Sequence, residues 1–177
     1  MLKRVSLGQP GYNNQDTRGG IDPRKEDLST HHGRDLVHIN ASGTRYTTIL
    51  DTLVQTQSSY FSNFIRVDRT SGQVQILQKR VMIDETGAIF INRDGHLFSH
   101  VLQYMRDGRN TILPNDENLL RRLEREADFF GMDGLKGLVV GMLITIGKQK
   151  ENDSLAAIRN AVSQIANNIY YSNGVRK

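Results

Sequence analysis

The stretch Ala88-Ile89-Phe90-Ile91-Asn92-Arg93-Asp94-Gly95 decides how this 177-residue chain folds. Its first four residues are apolar and predict a short, mostly buried strand. The polar triplet that follows ends the strand, and Asp94 stands where a helix N-cap is needed. After it, apolar residues recur at helical spacing through Leu97, Phe98, Val101, Leu102 and Met105. We therefore expect a buried strand end that delivers charged residues to the N-terminus of an amphipathic helix.

The sequence before this stretch predicts a hairpin and two short helices. Residues 36–49 contain two β-prone segments separated by a turn, which is typical of a hairpin. Asp51 or Thr52 is positioned to cap the first short helix. The second is expected to carry large apolar residues on one face, namely Tyr60, Phe61, Phe64 and Ile65. Residues 66–87 are polar, and their alternating valines and isoleucines predict a small hairpin or an edge strand.

A longer helix is predicted downstream, with Asn115 or Asp116 as its N-cap and Gly131 as its left-handed C-cap. Its buried stripe consists of Leu119, Leu120, Leu123, Ala127 and Phe130. Glu117 and Arg121 stand four residues apart on the other side, where they are expected to form a solvated ion pair.

Residues 139–177 are predicted to form a C-terminal extension. The apolar run 138–146 fits a buried helix or a strand, and the sequence leaves both open. Residues 148–153 are expected to form a charged linker. After it, apolar residues alternate at three- and four-residue steps over two heptads, at Leu155, Ile158, Val162, Ile165 and Ile169. Two heptads are too few for a stable isolated coiled coil, so this helix (about 154–171) must dock on its own domain or on another copy.

Composition and charge limit the classes of partner. Residues 1–34 carry a net charge of +2, residues 35–147 carry −1 and residues 148–177 carry +3. Because the basic excess lies at the two ends, the sequence does not favour a nucleic-acid partner. Residues 1–34 also contain few apolar residues and are expected to be a disordered or loosely packed tail. The longest apolar run is far shorter than the ~20 residues of a membrane-spanning helix, so we expect a cytoplasmic protein without membrane insertion.

No catalytic or metal-binding constellation stands out in the sequence. Cysteine is absent, which excludes disulfides, thiolate zinc sites and cysteine nucleophiles. His96 and His100 share one helix face, but a metal site needs one or two further ligands. Glu124, Glu126 and Asp128 are expected to spread around the outer face of a helix rather than converge in one cleft. We therefore expect no enzyme activity, no cofactor and no metal.

Several spaced motifs occur in one order between Asp84 and Met132. They are Asp84-Glu85-Thr86-Gly87, Phe90-Ile91-Asn92-Arg93-Asp94, Phe98 with Val101-Leu102 and Tyr104, Arg106-Asp107-Gly108, Leu113-Pro114 and Glu126-Ala127-Asp128-Phe129-Phe130. With Ile39-Asn40-Ala41-Ser42-Gly43 upstream, they resemble the potassium-channel tetramerisation-domain (KCTD) branch of the BTB/POZ family over residues 35–138. This sequence departs from that pattern at three places: Ala41-Ser42 replaces Val-Gly, Asn92 replaces the usual aspartate, and residues 66–83 are longer than the usual connection.

The resemblance implies an α/β fold of the BTB/POZ (KCTD) type, with a small mixed sheet packed with a helical cluster, here followed by a C-terminal helix. It also implies homo-oligomerisation into closed tetramers or pentamers. On this basis Asn92, Arg93, Asp94 and Arg106 are expected at or near the subunit interface. The alternative role of Asp94 is a helix cap, and that of Asn92 and Arg93 is intramolecular hydrogen bonding.

The resemblance implies two functions. The first is a substrate adaptor for a cullin-RING ubiquitin ligase, with Phe129 as an exposed aromatic that anchors the cullin. Phe130 falls on the buried stripe, whereas Phe129 is turned about 100° from it; a second packed core residue is the alternative for Phe129. The other function is an oligomeric scaffold or auxiliary subunit of a membrane receptor or signalling complex, with an unknown substrate or receptor protein as partner.

Overall fold

The computed structural model describes residues 28–174, in which two small sheets pack with a cluster of helices. The strands are β1 (Leu28–His31), β2 (Leu36–Ala41), β3 (Thr44–Ile49), β4 (Ile65–Val67), β5 (Val74–Leu77) and β6 (Ile89–Ile91). The helices are α1 (Leu50–Gln55), α2 (Ser59–Ser62), α3 (Gly95–Asp107), α4 (Glu117–Phe130) and α5 (Asp133–Gly174). The expected α/β architecture with a C-terminal helix is confirmed.

Strand β2 lies at the centre of a mixed sheet, with β3 antiparallel on one side and β6 parallel on the other. The predicted hairpin of β2 and β3 is therefore confirmed. Its turn places Ser42 at φ +45° and Gly43 at φ +99°, and two positive φ angles match the twist of the flanking strands. Ser42 is the one non-glycine residue with a positive φ in the described part of the chain. Backbone strain thus lies where the resembled motif carries glycine.

A second, antiparallel sheet has β5 at its centre, between β1 and β4. Strands β4 and β5 form the small hairpin predicted between residues 66 and 87, although β4 already begins at Ile65. Strand β1 lies inside residues 1–34, which the sequence predicted to be disordered or loosely packed, so that prediction is wrong for residues 28–31. Pairing with the edge of β5 gives β1 hydrogen-bond partners without requiring an apolar sequence. Residues 1–27 lie outside the described residues.

The predicted caps of the two longer helices are confirmed. The carboxylate of Asp94 accepts the N–H of Leu97 at 3.2 Å at the start of α3, and Asp116 accepts the N–H of Leu119 at 2.7 Å at the start of α4. Each bond satisfies a donor that the first helical turn leaves without a helical acceptor. The prediction for α1 is wrong, because that helix follows Ile49 and has no side-chain cap.

Gly131 ends α4 in the left-handed conformation, as predicted, with φ +60° and ψ +48°. A Cβ atom added there would lie 1.8 Å from the Oγ of Ser59, so both the backbone angle and the close approach of α2 require glycine. The close approach lets the Ser58 hydroxyl donate to the Phe130 carbonyl at 2.6 Å. Helix α2 is thereby fixed against the end of α4.

Aromatic rings fill the space between the helices. Phe61, Phe98 and Phe130 are fully buried. The Phe130 ring lies 5.8 Å from that of Phe61 and 5.5 Å from that of Phe98, measured between centroids. Such pairs stabilise a core beyond the burial of area alone. The apolar undersides of β2 and β6 complete this core with Val37, Ile39, Ala41, Ile89 and Ile91.

Helix α5 is continuous over 42 residues, about 63 Å. Its first turns pack on α4 and bury Leu135 and Val139, so the apolar run 138–146 is helical. The predicted linker at residues 148–153 is wrong, because these residues continue the helix. Charged residues are compatible with an exposed helix, and Gln149 donates to Asp153 at 2.8 Å one turn away. No helix within residues 28–174 is long and apolar enough to cross a bilayer.

Candidate protein interface

The turn before β6 fixes the strand that leads into the candidate site. Asp84 accepts hydrogen bonds from the hydroxyl of Thr86 at 2.7 Å and from the side-chain amide of Asn40 at 2.8 Å. These bonds, the first of them above all, hold the pKa of Asp84 well below its usual range. Arg45 adds an ion pair at 3.3 Å. Residues 84–87 therefore form a turn that is held by side-chain hydrogen bonds and connects β6 to β2.

Residues 92–94 form a tight loop between the buried end of β6 and the start of α3. The N–H of Arg93 donates to the carbonyl of Ile91 at 2.9 Å, which turns the chain sharply. Asn92 is exposed, and its Oδ1 accepts a 3.4 Å hydrogen bond from the Ser42 hydroxyl. This bond joins the loop to the strained hairpin turn.

Arg93 connects the loop to α4 through a two-pronged ion pair. Its Nε and Nη2 donate to Oε2 and Oε1 of Glu126 at 2.9 Å and 2.5 Å. The Glu126 side chain is almost fully buried, whereas that of Arg93 is 30% exposed. The hydrogen bonds to Glu126 raise the pKa of Arg93 above its ordinary value. The guanidinium carbon also lies 4.4 Å from the centroid of the Phe129 ring, which is a cation–π distance.

Asp94 joins the loop to α4 a second time. Its Oδ2 accepts a 2.7 Å hydrogen bond from Arg122, while its Oδ1 caps α3. The backbone N–H of Leu97 is the main cause that lowers the pKa of Asp94, and Arg122 adds to it. Within one chain, Asp94 thus caps a helix, and Asn92 and Arg93 make intramolecular hydrogen bonds. These are the alternatives to subunit contacts that the sequence left open for the three residues.

A polar groove of about 380 Å³ lies between the loop, the start of α3 and one face of α4. It is lined by Ser42, Asn92, Arg93, Asp94, Leu97, Arg122, Arg125 and Glu126. Arg125 is exposed and makes no ion pair with any residue of the described chain. The groove therefore offers one unsatisfied cation and an exposed amide to an approaching surface.

Arg106 lies at the opposite end of α3, about 18 Å along the helix from Asp94. Its Nη2 donates to the carbonyl of Thr47 at 3.3 Å. It lines a second groove, of about 540 Å³, whose other wall includes Asp133 at the start of α5. The sequence grouped Arg106 with residues 92–94, but the structure does not bring the four residues together in one chain.

Phe129 presents a partly open aromatic surface beside the polar groove. Its side chain is 42% exposed, whereas Phe130 is fully buried, which confirms the division predicted from the helical period. One side of its ring packs on Tyr60, with 5.1 Å between ring centroids. The exposed ring is thus held in place by Tyr60 and Arg93, which suits an anchor residue.

The residues considered for other chemistry do not converge. The rings of His96 and His100 lie 5.7 Å apart, and burial lowers the pKa of His100. Within residues 28–174, no group of three or more His, Asp or Glu side chains is arranged to hold a metal ion. Asp128 pairs with Lys136 at 2.7 Å, on a different side of α4 from the buried Glu126.

Sequence reasoning did not assign Arg122, Arg125 and Glu126 to the site. The spacing of the sequence could have revealed them: residues 122, 125, 126 and 129 are separated by three- and four-residue steps and so share one face of α4. The sequence interpretation instead placed Glu126 on the solvated face. That placement is wrong, because Arg93 arrives from a distant loop and allows the carboxylate to be buried.

A sequence profile of the BTB/POZ domain family matches residues 37–138 of the chain. The human BTB/POZ domain-containing protein KCTD3 is 35% identical over 101 residues, which are 57% of this chain and 11% of that protein. The mouse potassium channel regulatory protein is 35% identical over 112 residues, 63% of this chain and 38% of that protein. An uncharacterized protein of Dictyostelium discoideum is 35% identical over 112 residues, 63% of this chain and 13% of that protein. The chain therefore spans well under two thirds of each of these relatives.

Proposed function

Because this chain belongs to the BTB/POZ domain family, we propose that residues 35–138 assemble into a closed homo-oligomer and that the assembly serves as a substrate adaptor for a cullin-RING ubiquitin ligase. The family is one of protein-interaction and oligomerisation modules, generally without enzymatic activity. The match over residues 37–138 is the observation that carries the proposal.

The two ends of α3 support ring assembly. A cyclic oligomer uses two different surfaces of each subunit, so that one surface meets the other on the next copy. The groove at residues 92–94 lies at one end of α3, and the groove containing Arg106 lies at the other. We infer that the first surface of one subunit meets the second surface of its neighbour, which assigns roles to Asn92, Arg93, Asp94 and Arg106.

Light scattering coupled to size exclusion tests this assembly. At micromolar concentration, the wild-type chain is expected to have the mass of four or five protomers, and Arg106→Glu is expected to lower that mass. Arg69→Glu is the matched control, because Arg69 is also exposed but lies in the loop between β4 and β5. A monomeric wild type would refute self-association. An unchanged mass for Arg106→Glu would remove Arg106 from the interface.

Phe129 is the residue we assign to cullin contact. A rigid aromatic that is partly desolvated before binding loses little side-chain entropy when a partner covers it. Its ring is 42% exposed and is already held between Tyr60 and Arg93. Few other large apolar side chains of the matched domain are comparably exposed, and Ile112 is the most exposed of them at 90%.

A pull-down with purified cullin tests this assignment. Phe129→Ala is expected to reduce cullin capture at least tenfold, as is typical when an aromatic anchor is truncated. Ile112→Ala, which removes a more exposed apolar side chain elsewhere, is expected to leave capture unchanged. If wild type captures no cullin, the adaptor role fails while the oligomer proposal stands.

A second candidate function is an oligomeric scaffold or auxiliary subunit of a membrane receptor or signalling complex. The observation that favours it is the similarity to a protein named potassium channel regulatory protein. A wild-type oligomer that captures no cullin and instead binds the cytoplasmic part of a channel or receptor would favour this function over the adaptor role.

A further inference from the structure

The C-terminal half of α5 carries an apolar seam that the domain does not cover. The seam consists of Leu155, Ile158, Val162, Ile165 and Ile169, each 55–61% exposed. Among the described residues, the ion pair farthest along α5 that reaches the domain joins Lys150 to Glu117 at 2.6 Å. From there to residue 170 the helix extends about 30 Å, and its side chains are all exposed. Five large aliphatic side chains along one face of the helix form an apolar surface of the kind that marks an interaction site.

The direction of the seam rules out the chain's own domain as its partner. At 3.6 residues per turn, the seam is turned about 140° from the face of α5 that packs on α4. That packing face contains the buried Leu135 and Val139 and the partly buried Ile146. Because α5 is continuous, the seam cannot rotate back towards α4 without breaking the helix.

The distal helix contains several residues that stabilise an isolated helix only weakly. Asn160, Ser163, Asn167 and Asn168 lie on its polar sides and have low helix propensity. In proteins most of the stability of a helix comes from packing of its apolar face rather than from local propensity. We therefore expect burial of the seam against a partner to stabilise the distal helix.

The positions beside the seam favour identical helices as that partner. In heptad terms, Leu155, Val162 and Ile169 occupy a positions, and Ile158 and Ile165 occupy d positions. The flanking e and g positions are Ser154, Arg159, Ala161, Ala166 and Asn168. Parallel copies would place Arg159 opposite Ser154 and alanine opposite alanine, so that no like charges meet. A charged foreign helix would find almost no complementary charge there.

We propose that residues 154–170 of α5 form a parallel coiled coil of more than two helices, one from each subunit of the assembly. This inference rests on the proposed self-association, which brings identical helices together in one direction at high effective concentration. Two heptads suffice under that condition although they do not suffice alone. The a positions hold leucine, valine and isoleucine, and both d positions hold isoleucine. Two-stranded coiled coils favour leucine at d, so isoleucine at both d positions favours three or more strands.

Site-specific crosslinking of the full chain tests the proposal. Since the chain has no cysteine, a single cysteine can be placed in the seam with Ile165→Cys or on the opposite face with Asn167→Cys. A short bismaleimide is expected to link Ile165→Cys chains at least tenfold faster than Asn167→Cys chains. Light scattering on both samples before crosslinking gives the number of subunits, which is expected to exceed two.

The outcomes separate this proposal from the one on which it rests. Equal, slow crosslinking in a sample that scatters as an oligomer overturns the coiled coil and leaves self-association intact. A monomeric mass overturns self-association itself. A mass of two protomers with fast seam crosslinking overturns the claim of more than two helices.

A second pair of variants measures the helix directly. Ile158→Asp with Ile165→Asp is expected to lose helical circular dichroism equivalent to roughly 20 residues, because the distal helix loses its partner surface. Asn160→Asp with Asn167→Asp introduces the same charges seven residues apart on the outer face and is expected to retain the signal. Equal loss in both pairs overturns the proposal.

Discussion

Replacement of Arg93 by alanine is expected to destabilise the domain more than replacement of its partner Glu126 by glutamine. The two side chains form one ion pair, but their environments differ. The Glu126 side chain is 4% exposed and that of Arg93 is 30% exposed. Loss of Arg93 leaves a buried carboxylate without its counter-ion, whereas loss of the Glu126 charge leaves a guanidinium that water can reach.

The magnitudes follow from that asymmetry. Removal of one partner from a buried pair costs about 3–5 kcal/mol, and the partial exposure of Arg93 places this pair at the lower end, about 3 kcal/mol. The cation–π contact with Phe129 adds about 0.5–1 kcal/mol to the loss. Glu126→Gln keeps an oxygen that accepts from Arg93, so it is expected to cost about 1–1.5 kcal/mol.

Urea unfolding followed by circular dichroism at 222 nm measures these free energies. All variants are compared at one protein concentration, because assembly contributes to apparent stability. Arg121→Ala is the control: it breaks the exposed pair with Glu117 and is expected to cost about 0.3–0.5 kcal/mol. The double variant Arg93→Met with Glu126→Leu is expected to recover most of the loss. An Arg93→Ala cost no larger than that of Glu126→Gln would refute the reasoning.

Three further perturbations test other parts of the structure. Ser42→Gly is expected to stabilise the domain by about 0.5 kcal/mol in urea unfolding, because relief of the positive φ outweighs the entropy that glycine adds to the unfolded chain; a loss of stability would contradict the strain. Gly131→Ala is expected to lower the free energy of unfolding by clearly more than about 1–2 kcal/mol, which is the cost of the left-handed backbone angle alone. The added Cβ also collides with the hydroxyl of Ser59. Gly72→Ala is the control: Gly72 has φ +69° and an added Cβ would have no atom within 4 Å, so this variant is expected to lose only the free energy of the backbone angle. Hydrogen bonds from Lys150 and then from Arg121 lower the pKa of Glu117 from 4.5 to about 2. The stabilisation by this carboxylate is complete above pH 4.5 and is lost as the pH falls through 2. Lys150→Ala is expected to raise the titration midpoint of Glu117 measured by NMR.

The elements predicted correctly are those whose signals lie within a few residues. The hairpin of β2 and β3 and the caps at Asp94, Asp116 and Gly131 each depend on neighbouring residues and local backbone geometry. Strand β1 was missed because its pairing partner lies more than 40 residues away: His31 is opposite Val74. No local pattern records a strand that is defined by the free edge of another strand.

The residues of the candidate site also fall into those that local sequence could identify and those that it could not. Positions 92–94 were identifiable because a strand end and a helix cap fix the loop between them. Their partners were not, because Glu126 is 33 residues from Arg93 and Arg122 is 28 residues from Asp94. Periodicity alone assigned Glu126 to the solvent-exposed face, where a charged helix residue is ordinarily found. Glu126 is buried because Arg93 forms an ion pair with it.

The error at residues 148–153 has a consequence for function. The charged residues 148–153 were interpreted as a linker before the distal helix, although charged residues are equally compatible with a solvated helix. A flexible linker would let the seam face any direction and dock on any surface. A continuous helix anchored by the buried Leu135 and Val139 instead fixes the direction of the seam relative to the domain. In a ring, identical helices then leave identical positions with one orientation, so that assembly of the domain and pairing of the seam favour each other.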